Sequence, residues 1–247
     1  MNDQLLIEQA YRTIYENKSV LIPRRSKEER QKNYQIILQK QLQKKVEEYI
    51  KNGSEGDLDL SHSGITSLPE GLIVGGDLDL SDTPITKLPK NLKLGGGLFL
   101  SGSGITSLPE GLIINGNLML SYSSITSLPK ELEINGDLYL NGSSITNLPK
   151  GLTVGGGLYL NNSSIIDLPQ NLTVKGALDL SDTIITNLPK GLTVGGFLKL
   201  NETLISALPK DLIVGGYLSL YRTPISNQYT KEQLKEMLPN VKGGIFI

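Results

Sequence analysis

Residues 78–97 read LDLSDTPITKLPKNLKLGGG, and this phrase returns every twenty residues along most of the chain. Leucine stands at 58, 78, 98, 118, 138, 158, 178, 198 and 218, and a second leucine follows two places later, from Leu60 to Leu220. Isoleucine keeps the same step from Ile65 to Ile225, and Leu-Pro from Leu68-Pro69 to Leu208-Pro209. Then come Leu72 to Leu212, an aliphatic at Val74, Leu94, Ile114 and onward to Val214, and a glycine from Gly56 to Gly216. No insertion or deletion breaks the register. Self-similarity at such a period marks a solenoid.

The energetics say why one unit cannot stand alone. Each coil offers about six aliphatics of the buried type, worth roughly 1.5–3 kcal/mol apiece when fully buried. Ordering its backbone costs on the order of 20–40 kcal/mol. Neighbours above and below must complete the burial, so one extra residue would push a coil's leucines off the column beneath. Within a unit, Leu-x-Leu has the period of a strand, both leucines inward and the residue between them outward. Proline has no amide hydrogen, so Leu-Pro marks the bend to the opposite side. Leu-x-Val predicts a second, shorter extended stretch. Gly-Gly or Asn-Gly (Gly75-Gly76, Asn115-Gly116, Asn135-Gly136) then predicts a turn at positive φ. Lys175 occupies that slot in one coil, where mild strain or a different turn is expected.

The run LxLxx(S/T)xIxxLP, as in LYLNGSSITNLP from Leu138, resembles a bacterial leucine-rich repeat of the short, twenty-residue type. That family carries LxVxxNxLxxLP. The resemblance spans roughly residues 56–228 and implies a mainly β, parallel-sheet solenoid of bacterial or bacteriophage origin. Two features depart from the family. Its buried asparagine is replaced by Ser63, Thr83, Ser103, Ser123, Ser143, Ser163, Thr183, Thr203 and Thr223, a hydroxyl series in place of a carboxamide ladder. The side opposite the main strand carries LxVxG rather than a second leucine-proline pair.

Open solenoids need covers. Residues 1–55 read as a helical N-terminal cap: a short helix over 3–16, then a second opened by the capping box Ser26-Lys27-Glu28-Glu29. The second helix has an apolar stripe of Tyr34, Ile37, Leu38, Leu42, Val46, Tyr49 and Ile50, and Gly53 suits its stop. A helical hairpin ahead of short repeats resembles the arrangement in secreted effectors of enteric pathogens. Nine coils occupy 56–228. Residues 229–247 read as a C-terminal cap, with a helix opened by Thr230-Lys231-Glu232-Gln233, ended by Pro239, and GGIFI as a last strand.

Bulk composition narrows the function. The chain has 247 residues, 24 basic against 25 acidic, and no cysteine. Disulfide frameworks, thiolate metal sites and cysteine nucleophiles are therefore excluded. Near-neutral charge points to neither nucleic acid nor an anionic membrane, although residues through Gly56 carry eleven basic and eight acidic groups against thirteen and seventeen beyond. The N-terminus lacks a basic segment followed by an apolar one, and no apolar run reaches the ~20 residues of a membrane helix. A cytoplasmic protein is expected, with delivery into a host cell compatible with that reading.

Chemistry-bearing clusters are few. His62 is the sole histidine, which leaves no zinc set and no serine–histidine series, and it reads as a surface residue at a strand's end. Asp57, Asp59, Asp77 and Asp79 form an outward group. Four carboxylates can hold calcium or act as a glycosidase pair, but more often such a group is an exposed acidic patch. The Gly-Gly turns lack the sequel of a phosphate loop. No catalytic residue, metal ligand or cofactor is expected.

The aromatic residues carry the functional reading. Phe99, Tyr122, Tyr139, Tyr159, Phe197, Tyr217 and Tyr221 are the seven aromatics of 57–222, and all lie on the outward slots of the Leu-x-Leu strand, counting the residue just before it, or within two residues after it. Phe99, Met119, Tyr139 and Tyr159 fill one slot of four consecutive coils, so they should stack at about 4.8 Å steps. One reading is a ladder that only stabilises neighbouring strands. The other is a binding stripe, because such residues are enriched at protein interfaces. Asp57, Asp59, Asp77, Asp79 and Asp179 flank it, with Lys199, Glu202 and Arg222 on the late coils. The expected function is a non-enzymatic protein-binding scaffold or inhibitor. A carbohydrate or surface-ligand binder is the alternative, and ice binding a lesser one, since the threonine column from Thr66 is interrupted at Ile166, Ser206 and Ser226.

Overall fold

A computed structural model describes residues 26–247, so the helix expected over 3–16 lies outside the described residues. The chain divides into two compact units, 1–38 and 39–247. A helix, Lys27–Lys51, begins in the first and ends in the second. Its capping box forms as the sequence implies: the Glu29 amide donates to Ser26 Oγ at 3.1 Å, and the Ser26 amide donates to Glu29 Oε2 at 2.9 Å. Gly53, at φ +93°, stops it, with Ser54 N–H donating back to the Tyr49 carbonyl at 3.1 Å. Within the second unit Val46 is buried, and Leu42 and Tyr49 pack on the first coils. Ile50, counted in the apolar stripe, is exposed near the end of the helix.

The coils form as the twenty-residue register requires. Front strands from Leu58–Asp59 through Leu218–Ser219 pair in parallel, each residue beside its equivalent twenty positions on. Ile245–Phe246 adds the tenth strand, Leu218 beside Ile245, so GGIFI does close the sheet. Both leucines of each front strand are buried, as are the isoleucines from Ile65 to Ile225. The short helix Lys231–Met237 has the reciprocal Thr230–Gln233 capping box, and its Leu234 is fully buried.

Leu-x-Val forms a back ladder, in two pieces. One has two strands (Ile73–Val74, Lys93–Leu94) and the other six (Ile113–Ile114 to Ile213–Val214). At the break, Asn115 Nδ2 donates to the Leu94 carbonyl at 3.1 Å. In most other coils a backbone amide makes that bond, as Gly95 N–H does to Val74 O at 2.8 Å.

The hydroxyl series works within coils rather than between them. Eight of its nine members donate to the carbonyl three residues earlier in their own coil, at 2.5–2.7 Å. Buried Ser163 Oγ has no protein partner.

The glycine turns differ from expectation. Gly75, Gly76 and their equivalents in the later coils are not at positive φ; in the Gly76 column only Gly56, at φ +71° ahead of the first coil, is left-handed. All nine coils place a left-handed residue just after the front strand, at His62, Asp82, Gly102, Tyr122, Gly142, Asn162, Asp182, Glu202 and Arg222. The second glycine of each turn is needed for close stacking instead: a Cβ on Gly136 would meet the Gly116 carbonyl oxygen at 2.6 Å. Lys175 is not at positive φ, but its amide does not make the bond to the preceding coil that Gly155 and Gly195 make in the same slot, so the turn there differs locally.

Candidate functional site

On the front face, two columns of outward side chains run the length of the stack. The middle residue of Leu-x-Leu makes one: Asp59, Asp79, Phe99, Met119, Tyr139, Tyr159, Asp179, Lys199, Ser219 and finally Phe246. The residue before each strand makes the other, including Asp57, Asp77, Asp137, Phe197 and Tyr217.

Strand pairing sets the tyrosines one coil apart. Tyr139 and Tyr159 stack with ring centroids 4.6 Å apart and planes 8° apart. The rings are nearly parallel and stacked, so each covers part of one face of the other. Tyr139 Oη donates to Asp137 Oδ2 at 2.9 Å. Burial, then the hydrogen bond and charge of Asp137, push the Tyr139 hydroxyl up to about 12. Burial also raises Tyr159, helped by the charges of Asp137 and Asp179. The Tyr159 ring lies over Gly157, where a Cβ would meet ring carbons and the hydroxyl at 2.9–3.0 Å. Phe99 and Met119 precede them in register, half-buried like the tyrosines.

A second aromatic group ends the stack. Phe197 and Tyr217 stack at 5.0 Å, and Phe246 meets Tyr217 edge-on at 5.7 Å. Lys199 Nζ sits 4.9 Å from the Phe197 ring centre and 3.5 Å from Asp179 Oδ2. Tyr122 stands apart from both groups, 69% exposed at φ +55° with its ring against Gly142.

The aspartates have backbone work as well as charge. Asp57 Oδ1 accepts from the Asp77 amide at 2.8 Å, and Asp77 Oδ1 from the Gly97 amide at 2.5 Å. Asp59, Asp79 and Asp179 each accept from the amide two residues on, at 2.8–3.0 Å. The Ser61 hydroxyl and amide hold the Asp59 carboxyl below its ordinary value. His62 Nδ1 lies 3.3 Å from Asp82 Oδ2, both exposed. Among the described residues, no group of three or more His, Cys, Asp or Glu is placed to hold a metal ion. None of their helices is long and apolar enough to cross a membrane.

Sequence reasoning missed Asp137 and Phe246 in this face. Both were within reach: Asp137 shares the column of Asp57 and Asp77, and aligning Ile245 with Leu218 puts Phe246 at the end of the tyrosine column. It also missed exposed aliphatics away from the front columns, chiefly Ile166, Ile184 and Leu204.

No protein-family model matches the sequence, and no curated protein matches it. Solved structures do. YopM from Yersinia enterocolitica is 20% identical, with TM-score 0.51 over 88% of this chain and 46% of that one. A leucine-rich-repeat protein of Leptospira interrogans is 25% identical, with TM-score 0.46 over 77% of this chain and 60% of that one. YopM from Yersinia pestis, described as a leucine-rich effector protein, is 19% identical, with TM-score 0.41 over 75% and 66%. This chain therefore spans roughly half to two thirds of the length of these structures. The fold is a bacterial-type leucine-rich-repeat solenoid: parallel, twenty residues per coil, with an N-terminal helix.

Proposed function

We propose that this chain is a non-enzymatic protein-binding scaffold or inhibitor whose partner docks on the outward side chains of the front strands. The leucine-rich-repeat fold is compatible with a protein-binding scaffold. The observation that carries the reading is the stacked Tyr139–Tyr159 pair, aligned with Phe99 and Met119 and followed by Phe197 and Tyr217. Rigid aromatic side chains make good anchors because little rotamer freedom is lost on binding. Asp57, Asp59, Asp77, Asp79, Asp179 and Lys199 flank this apolar centre, and Tyr122 adds an exposed ring. The tyrosine shifts run away from neutral pH, the opposite of an activated acid or nucleophile.

The test replaces Tyr139 and Tyr159 with alanine in the full chain and measures partner capture and melting together. Capture should weaken by about 2 kcal/mol or more if the pair anchors a partner. Stability should fall less, because a cross-strand pair contributes about 0.2–1 kcal/mol. Lys150 and Lys190, exposed beyond the Leu-Pro bend, serve as the control and should change neither. Capture lost by the lysine variant and kept by the tyrosine variant would place the partner on another face.

A further inference from the structure

We propose that the front face pairs with the front face of a second copy of this chain, the two stacks running in opposite directions. This rests on reading that face as a binding surface, and it names the occupant. The order of side chains along the stack carries it. The first two coils present acid, at Asp57, Asp59, Asp77, Asp79 and, just past the strand, Asp82. The middle is apolar and centres on Tyr139 and Tyr159. The end presents cations on aromatic rings: Arg222 at 5.0 Å from the Tyr221 ring centre and Lys231 at 5.4 Å from that of Phe246.

Ten front strands place the midpoint between the fifth, Leu138–Tyr139, and the sixth, Leu158–Tyr159. A two-fold axis there, along the strand direction, lays the first coil on the tenth and the second on the ninth. Each tyrosine pair then meets its copy across the axis. Asp82 comes opposite Arg222, which holds the same place in its own coil, and Asp57 and Asp59 come opposite Lys231 and Phe246. Such an interface is isologous, the form most soluble dimers take. Stacks running in the same direction would instead set acid against acid.

Arg222 lies 3.0 Å from Glu202, and Asp82 lies 3.3 Å from His62; all four are exposed, so these pairs exchange partners at little cost. Ten coils at about 4.8 Å, five residues wide, offer roughly 700 Å² per copy, enough for a standard-size interface.

The experiment is sedimentation velocity on the purified full chain, from low to several hundred micromolar. Two variants reverse one end each: Asp59→Lys with Asp82→Arg, and Arg222→Glu with Lys231→Glu. Three of the four changes copy residues already standing in the same columns (Lys199, Arg222 and Glu202), and melting curves confirm that each variant folds. The unmodified chain should dimerise. Each variant should weaken that association at least tenfold, and an equimolar mixture of the two should restore it, since both contacts are again complementary. A chain monomeric at every concentration overturns the proposal, as does a mixture no better than either variant alone. If the monomeric chain still loses partner capture on replacement of Tyr139 and Tyr159, self-pairing fails while the binding-face reading stands.

Discussion

The front and back of the solenoid are built from one repeat, yet only the front keeps an unbroken ladder. Ten strands run in register there, while the back divides between Leu94 and Ile113 into two strands and six. An unbroken ladder holds equivalent side chains one above another at a constant step. That is what turns Tyr139 and Tyr159 into a stack and the flanking residues into columns. On the back, exposed Ile73, Ile113 and Ile213 share a slot, but the break separates Ile73 from Ile113, and Lys93, Glu133 and three threonines fill the slot between them. Continuity of pairing, more than the count of apolar residues, distinguishes the front face from the back.

Core truncation should break that comparison most strongly. Leu158→Ala removes a side chain with no exposed surface from the front strand beneath the tyrosines. Urea unfolding should show a loss of about 2–5 kcal/mol. Ile113→Ala on the back, where the side chain is half in solvent, should stay within about 0.5 kcal/mol. Comparable losses at both sites would mean that the back ladder bears as much of the packing as the front.

A smaller effect is expected at the break itself. Asn115→Ala removes the amide that reaches the Leu94 carbonyl, and should cost about 0.5–1.5 kcal/mol. Hydrogen exchange should quicken in the coils on either side of the break and stay unchanged on the front strands. Unchanged exchange on both faces would show that water replaces the side-chain bond fully.

The mildest effect is confined to the front and to alkaline pH. Tyr139 is harder to ionise when folded, with its hydroxyl raised from 10.0 to about 12. A raised value favours the folded chain fully below pH 10, and that contribution is lost as pH rises through about 12. Ultraviolet titration should therefore show a tyrosine ionising near pH 12, absent from Tyr139→Phe. Asp137→Asn should lower this value only in part, because burial, the largest single cause, remains. A full return to the ordinary value would make Asp137 the main cause.

Most of the architecture was legible because a solenoid is nearly one-dimensional. The leucine columns, the Leu-Pro bend, both capping boxes and the final GGIFI strand follow from local pattern and a fixed period. The site was legible in part. A shared slot was enough to align Phe99, Met119, Tyr139 and Tyr159, but it did not show that Asp137 holds the Tyr139 hydroxyl. Nor did it show that Asp57 and Asp77 spend an oxygen on the next coil's amide.

The repeat by itself determined the period, the direction of the strands and which residues face inward, since each depends only on spacing along the chain. Tertiary structure alone decided where left-handed backbone falls and why the turn glycines are needed. Gly76 and Gly136 look like positive-φ residues in isolation, but the space a Cβ would fill there holds the carbonyl of the coil below. His62, Tyr122, Glu202 and Arg222 look like ordinary surface residues, yet their backbones are left-handed so that the chain can leave the front strand in step with its neighbours. At these positions the amides of His62, Tyr122 and Glu202 bond to carbonyls of the next coil, and no single twenty-residue unit contains both partners.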